Sequence, residues 1–114
     1  QASLTFDPSL MTLVGPAANG ETVSDDVVFT NIGGADAVVT EVTKSSANPG
    51  SCDHFAVTPA LSTPVTVPAS GGTATFTITF TRPDDGPFPI AHQCDLTFVH
   101  DGGESTVTAS VSYP

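Results

Sequence analysis

The segment GGTATFTITFTR, residues 71–82, constrains the fold more than any other part of the chain. Between residues 73 and 81 threonine occupies every odd-numbered position, and the even-numbered positions are Ala74, Phe76, Ile78 and Phe80. Alternation with a period of two is typical of a half-buried β-strand, because successive side chains point to opposite faces of a sheet. The apolar face must be covered, and a second apolar sheet face is the simplest cover. The segment therefore predicts a β-sandwich.

Length and composition agree with a small all-β protein. The chain has 114 residues, which predicts one domain covering residues 1–114. It contains 10 glycines and 10 prolines, as expected where many short strands are joined by tight turns. No long segment repeats its apolar residues with the period of an α-helix.

Further short strands are predicted on both sides of residues 71–82. Prolines at positions 59, 64 and 68 place the strands at residues 55–57 and 65–67 at sheet edges. A break in the alternation near Thr40 and Glu41 predicts a β-bulge. We expect strands at residues 3–6, 10–14, 21–30, 36–44, 55–57, 65–67, 93–100 and 105–111. The fold class is thus all-β, an immunoglobulin-like (Ig-like) sandwich of seven to eight antiparallel strands. The chain has no tryptophan, and its two cysteines do not fall on the strand pair that antibody domains join.

The charge is strongly one-sided, with 12 acidic residues against two basic ones, Lys44 and Arg82, and a formal net charge of −10. Nucleic acids and anionic membrane surfaces require basic patches, so neither is an expected partner. No run of about 18 apolar residues could cross a membrane, and no insertion is expected. The first residues, QASLTF, lack the features of a signal peptide, so we expect either that one was removed or that the chain is part of a longer protein with further domains.

The order of these motifs is similar to a known group of domains. The runs are VVFTNIGGADAVVTEV, HFAVTP, VTVPASGGTATFTITFTRPDDG, CDLTFVHD and TVTASVSY. They resemble the ASH/Hydin-type domains, which belong with choice-of-anchor D modules and, more distantly, with PapD-like and major sperm protein sandwiches. The positions that carry the resemblance are Asn31, Gly33, Phe55, residues 68–72, Phe80, Pro83 and Gly86. It implies an Ig-like fold and a role as a repeated binding or spacer module. The longer connection PFPIAHQC and the two cysteines depart from the pattern.

A mirror pair of short motifs, Cys52-Asp53-His54 and His92-Gln93-Cys94, is the most pointed chemical feature. If the two cysteines are neighbours, His54 and His92 should also lie close, because residues i and i+2 of an extended chain share one side. An even cysteine count in an exported chain favours a disulfide between Cys52 and Cys94. A zinc site built from two Cys and two His, or a pair of free thiols, remains the alternative.

No catalytic motif is present, and no enzyme activity or cofactor is expected. Serine, histidine and aspartate all occur, but no serine lies in a nucleophile elbow. Weak calcium candidates are Asp84 and Asp85, with less support for the pair Asp25-Asp26 and for Asp101 with Glu104. None has the spacing of a calcium-binding loop, so no metal site is assigned.

Two functions of different class remain. The first is a non-catalytic Ig-like module of a secreted or cell-surface protein, in an extracellular or periplasmic setting, that binds another protein or separates other domains. The alternative is a subunit or repeat of an extracellular filament or surface layer that self-associates by donating its N-terminal strand, residues 3–6 or 10–14, to a neighbouring copy. Other domains of a longer chain are further partners of either.

Overall fold

The computed structural model describes residues 1–46, 51–83 and 90–113, and within them the chain forms nine β-strands, a single-turn 3-10 helix and no α-helix. The strands are β1 (Leu4–Asp7), β2 (Leu10–Val14), β3 (Thr22–Asn31), β4 (Ala37–Ser45), β5 (Phe55–Thr58), β6 (Val65–Val67), β7 (Gly72–Thr81), β8 (Ile90–His100) and β9 (Gly103–Tyr113). The 3-10 helix spans Ser51–His54. No helix in the described residues is long and apolar enough to span a membrane.

The strands form two sheets that face each other. One has four strands in the order β1-β3-β7-β5, and the other has five in the order β2-β9-β8-β4-β6. The predicted Ig-like sandwich is confirmed. The short strands β5 and β6 each lie at a sheet edge, as their flanking prolines indicated, and the register of β4 on β8 shifts between Val39 and Glu41, where the bulge was expected.

One strand pair departs from the antiparallel prediction: β2 runs parallel to β9. After β1 pairs with β3 in the four-stranded sheet, the chain enters the other sheet with only Pro8 and Ser9 between the two strands. Because it changes sheet without a hairpin, β2 keeps the direction of β1, and that direction is parallel to β9. The nine strands correspond to the strand in residues 73–81 and the eight further segments expected from the sequence, one more than the stated seven to eight.

The core lies between the sheets and is built from the inward residues of the alternating strands. Val27, Phe29, Phe76, Ile78 and Phe80 are all fully buried. The ring of Phe29 contacts those of Phe76 and Phe98 at centroid distances of 5.6 and 5.1 Å, so aromatic contacts join the two sheets. The alternation in residues 73–81 therefore predicted the inward face correctly.

One end of the sandwich is closed by a buried asparagine, and we call this region the Asn31 corner (Gln1–Ser3, Asn31–Gly34 and Val67–Gly72). The Oδ1 atom of Asn31 accepts hydrogen bonds from the backbone N–H groups of Ser3 and Gly33, at 3.1 and 3.0 Å. Its Nδ2 atom donates to the carbonyl oxygens of Ala35 and Val67, at 2.8 and 3.0 Å. A fully buried amide with four partners fixes the corner, since burying it without them would be costly.

Glycines are required where the backbone at this corner passes closest to itself. A Cβ atom added to Gly33 would lie 2.0 Å from the carbonyl oxygen of Gln1, and one added to Gly72 would lie 2.4 Å from that of Pro68. These positions, together with Asn31, are among those that carry the family resemblance. What these positions share is therefore a steric and structural role in the fold.

Candidate interaction surface

Strand β2 is the edge of the five-stranded sheet and carries apolar side chains on both of its faces. Met11 and Leu13 are buried in the core, at 1% and 5% exposure. The neighbouring positions Leu10 and Val14 point outward and are 69% and 80% exposed. An edge strand with uncovered apolar side chains is a surface on which another chain can pair.

The outward residues of β2 continue in register across the next two strands. Thr12 lies beside Ser110 of β9, which lies beside Gln93 of β8, and the next row consists of Val14, Ser112 and Ala91. We call these six residues, together with Leu10, the β2 surface. An open cavity of about 150 Å³ is lined by Thr12, Ala91, His92, Gln93, Ser110, Val111 and Ser112. The small side chains of Ala91, Ser110 and Ser112 leave this space beside the exposed strand.

The β2 surface carries no ionisable side chain, although the chain has a net charge of −10. The nearest acidic residue in register is Asp95, in the row of Leu10 and Thr108. Its Oδ1 atom accepts a hydrogen bond from Thr108 Oγ1 at 2.8 Å. The combination of apolar edge, hydroxyl groups and one amide favours contact with uncharged polypeptide over binding of an ion.

Sequence reasoning predicted the strand at residues 10–14 but not the exposure of its side chains. Four of the five residues in LMTLV are apolar, so the pattern does not show which parity faces inward. The apolar residues at both parities were the signal of an exposed apolar face. An edge strand that buries one face needs apolar residues on that face only.

The structure joins Cys52 of the 3-10 helix to Cys94 of β8 in a disulfide, as the sequence predicted. The expected approach of the two histidines is also found, with ring centroids of His54 and His92 separated by 5.2 Å. Because both sulfur atoms are used in the disulfide, the alternatives of a Cys₂His₂ zinc site and of free thiols are wrong for this structure. In the described part of the chain no three His, Cys, Asp or Glu side chains are grouped as metal ligands would be.

Among the described residues, the calcium candidates form no group of metal ligands. Asp84 and Asp85 lie outside the described residues. The Asp26 carboxylate accepts a hydrogen bond from Thr77 Oγ1 at 2.7 Å, and Asp101 Oδ2 accepts one from the backbone N–H of Val38 at 3.1 Å. These oxygens are used within the chain's own turns and strands.

The N-terminal strands, proposed from the sequence as donors to a neighbouring copy, pair here within their own chain. Strand β1 is antiparallel to β3 and β2 is parallel to β9. The buried side chains of Met11 and Leu13 attach β2 to the core. Donation to another copy would require these contacts to open first.

The chain matches no protein-family model, and no curated protein matches it. Solved structures share its fold. The periplasmic chaperone SfaE superposes with a TM-score of 0.65 at 10% identity over 96% of this chain and 57% of its own. The ASH/PapD-like domain of human CEP192 superposes with a TM-score of 0.61 at 15% identity, over 96% of this chain and 82% of its own. The Vibrio cholerae VesB protease gives 0.52 at 22% identity over 96% of this chain and only 31% of its own, so the chain spans less than a third of that protein. The chain therefore has the PapD-like Ig fold that its motifs resemble.

Proposed function

We propose that the chain is a single, non-catalytic Ig-like domain that binds an extended segment of another protein along the free edge of β2. The observation that carries this proposal is the exposed apolar pair Leu10 and Val14 on an edge strand without charged residues. Edge strands usually carry charged residues or proline that prevent pairing. Strand β2 has neither, although the chain is rich in both acidic residues and proline.

Pairing at this edge supplies both affinity and selectivity. Backbone N–H and C=O groups on the side of β2 away from β9 are available to pair with an added segment, which would become a sixth strand of this sheet, as in other strand-addition complexes. Alternate side chains of the added segment would lie over the outward face, where the cavity beside Thr12 and Ser110 can receive one of them. The segment should be apolar or hydroxyl-rich and should not be strongly acidic, because the chain's charge of −10 repels acidic peptides.

The setting that we propose is extracellular or periplasmic. A disulfide that joins elements 42 residues apart persists in oxidising compartments and is rare in the cytosol. The periplasmic chaperone among the proteins of the same fold agrees with this setting. The match to the VesB protease covers only 31% of the protease chain. A partial match of this kind agrees with a binding or spacing role for such a domain in a longer chain.

The proposal is tested with peptides selected from a displayed library of extended sequences on the native chain. Affinities of the selected peptides are then measured for Leu10→Lys, Val14→Lys and the matched control Ile32→Lys. Ile32 is 64% exposed and lies in the Asn31 corner, away from the β2 surface. We expect a loss of at least about tenfold for each β2 variant, since a lysine blocks edge pairing, and no loss for the control. Equal affinity in all three variants would refute the proposal.

The filament alternative predicts self-association through the same segment. Sedimentation of the native chain at increasing concentration measures this, and the Leu10→Lys variant identifies the surface. Oligomers that disappear in this variant would favour pairing between copies. A monomer at all concentrations would leave a different protein as the partner.

A further inference from the structure

We propose that the hydroxyl groups of Ser62 and Thr63 are acceptor sites for O-linked glycosylation. Both residues lie in the connection between β5 and β6, residues 59–64. The inference uses the extracellular or periplasmic setting proposed above and does not depend on the peptide-binding function. The connection leads into β6 at one edge of the five-stranded sheet, whereas β2 lies at the other edge.

The segment around the two residues has the composition of O-glycosylated sequences. Residues 58–70 read TPALSTPVTVPAS, in which three of 13 residues are proline and five are serine or threonine. Segments rich in serine and threonine that also contain proline are typical of O-glycosylated proteins. No charged residue occurs between residues 55 and 81, although the chain has 12 acidic residues. The composition therefore indicates the segment, and the structure selects the residues within it.

Ser62 and Thr63 have the least constrained backbone among the five hydroxyl residues of this segment. Thr58 and Thr66 lie in paired strands, and Ser70 lies in the Asn31 corner. The backbone of residues 59–64, by contrast, makes one hydrogen bond in the described structure, from the N–H of Thr63 to the carbonyl oxygen three residues earlier at 3.5 Å. A transferase must enclose its acceptor residue, and an exposed turn outside the strands is the part of the chain that can enter an active site.

The two side chains are also available for reaction. Both are exposed, and within the described residues no hydrogen bond uses either hydroxyl group. Leu61, directly before them, packs against the core, so the turn is anchored while the two hydroxyl groups remain in water. Attaching a sugar to either oxygen therefore breaks no contact that supports the fold.

The transfer requires an activated sugar, whose anomeric carbon is bonded to a diphosphate. The Oγ atom of the acceptor forms a bond to that carbon, and the bond between the carbon and the diphosphate oxygen breaks. The diphosphate leaves with the bonding electron pair, and the hydroxyl proton passes to a base of the transferase. The chain supplies only the acceptor oxygen, which agrees with a non-catalytic domain.

A glycan on this turn would cover the side of the sandwich where β5 and β6 lie. Both are edge strands, and unpaired edges invite pairing with other chains. The Nζ atom of Lys44 already donates a hydrogen bond to the carbonyl oxygen of Phe55 in β5, at 3.0 Å. A bulky, hydrated glycan would extend this protection along the connection to β6. The β2 edge would stay open.

The test is the intact mass of the chain purified from its natural source, compared with the same chain produced in a host that lacks O-glycosylation. We expect the native chain to exceed the unmodified mass by a whole number of sugar residues. Electron-transfer fragmentation should place the sugar on Ser62 or Thr63. Equal masses, an excess that corresponds to phosphate, or sugar found only on other residues would overturn the proposal.

Substitution identifies the acceptor independently. In the natural host, we expect the double variant Ser62→Ala, Thr63→Val to lose the mass excess and the control Thr75→Val to keep it. Thr75 is also exposed but lies in β7, whose backbone pairs with β3. Circular dichroism identifies any variant that fails to fold, and for that variant the fragmentation of the native chain decides. A folded double variant that retains the whole mass excess would refute the assignment.

Discussion

The Asn31 corner and the β2 surface lie in the same sandwich but use their polar and apolar groups in opposite ways. At the corner, the amide of Asn31 is fully buried and makes four hydrogen bonds to its own chain. At the β2 surface, Leu10 and Val14 remain largely exposed beside an open cavity. The first region closes the domain, and the second leaves groups available to another molecule.

This difference separates the residues that specify the fold from those expected to bind. Several positions that carry the family resemblance lie in the corner, where only glycine fits at positions 33 and 72 and where Asn31 satisfies four backbone groups. The Asn31 side chain is fully buried, and Gly33 and Gly72 are only partly exposed. A resemblance carried by such positions predicts the fold well and does not identify the partner.

The largest expected effect on stability comes from removing the disulfide, which secures the end of the sandwich away from the corner. Removing it in a Cys52→Ala, Cys94→Ala double variant should lower the free energy of unfolding by about 4 kcal/mol, because the closed loop of more than 40 residues no longer restrains the unfolded chain. Urea unfolding of the native and variant chains measures the change. A reductant should weaken the native chain similarly and leave the variant unchanged, whereas a loss below about 1 kcal/mol would contradict the predicted contribution.

The next effect concerns the corner itself. The substitution Asn31→Ala should cost about 3 kcal/mol, because it leaves buried backbone donors and acceptors without partners. Chemical denaturation measures the loss, and Ser62→Ala at an exposed position serves as the control, with an expected change within about 0.5 kcal/mol. If the two variants were equally stable, the four hydrogen bonds would not be the source of the corner's rigidity.

A smaller effect is expected where the N-terminal segment crosses Gly33. The substitution Gly33→Ala should cost about 1–2 kcal/mol, because the new methyl group displaces Gln1 and Ser3 from their hydrogen bonds. Gly34→Ala is a matched control, since an added Cβ atom there meets nothing within 4 Å. Thermal unfolding of both variants checks the difference. A Gly34→Ala variant that is the less stable of the two would contradict the steric explanation.

The smallest effect on stability is expected at the β2 surface. Leu10→Lys and Val14→Lys should each change the free energy of unfolding by no more than about 0.5 kcal/mol, because both side chains are already in water. Met11→Lys on the same strand places a charge in the core and should prevent folding or cost several kcal/mol. Denaturation curves of these variants show whether the outward residues of β2 can be changed without loss of stability while the inward residue cannot. A large loss at Leu10 or Val14 would mean that these side chains support the fold.

Most of the strands were predictable because a half-buried strand has a periodic sequence. The inward parity of residues 73–81, the bulge after Val39 and the approach of His54 to His92 all follow from local alternation and spacing. The parallel pairing of β2 with β9 was not predictable, since alternation does not identify a strand's neighbour. The exposure of Leu10 and Val14 depends on that pairing, so the candidate surface could be recognised only in the folded chain.

The central proposal, that the β2 surface binds an extended segment, is tested most directly by mapping the bound segment on the native domain. Amide NMR signals are recorded while a selected peptide is added to saturation. We expect the largest shifts in residues 10–14 and smaller ones across residues 91–95 and 108–112, the neighbouring parts of the same sheet. Shifts confined to the Asn31 corner or to the turn at residues 101–103, with residues 10–14 unchanged, would contradict the proposal.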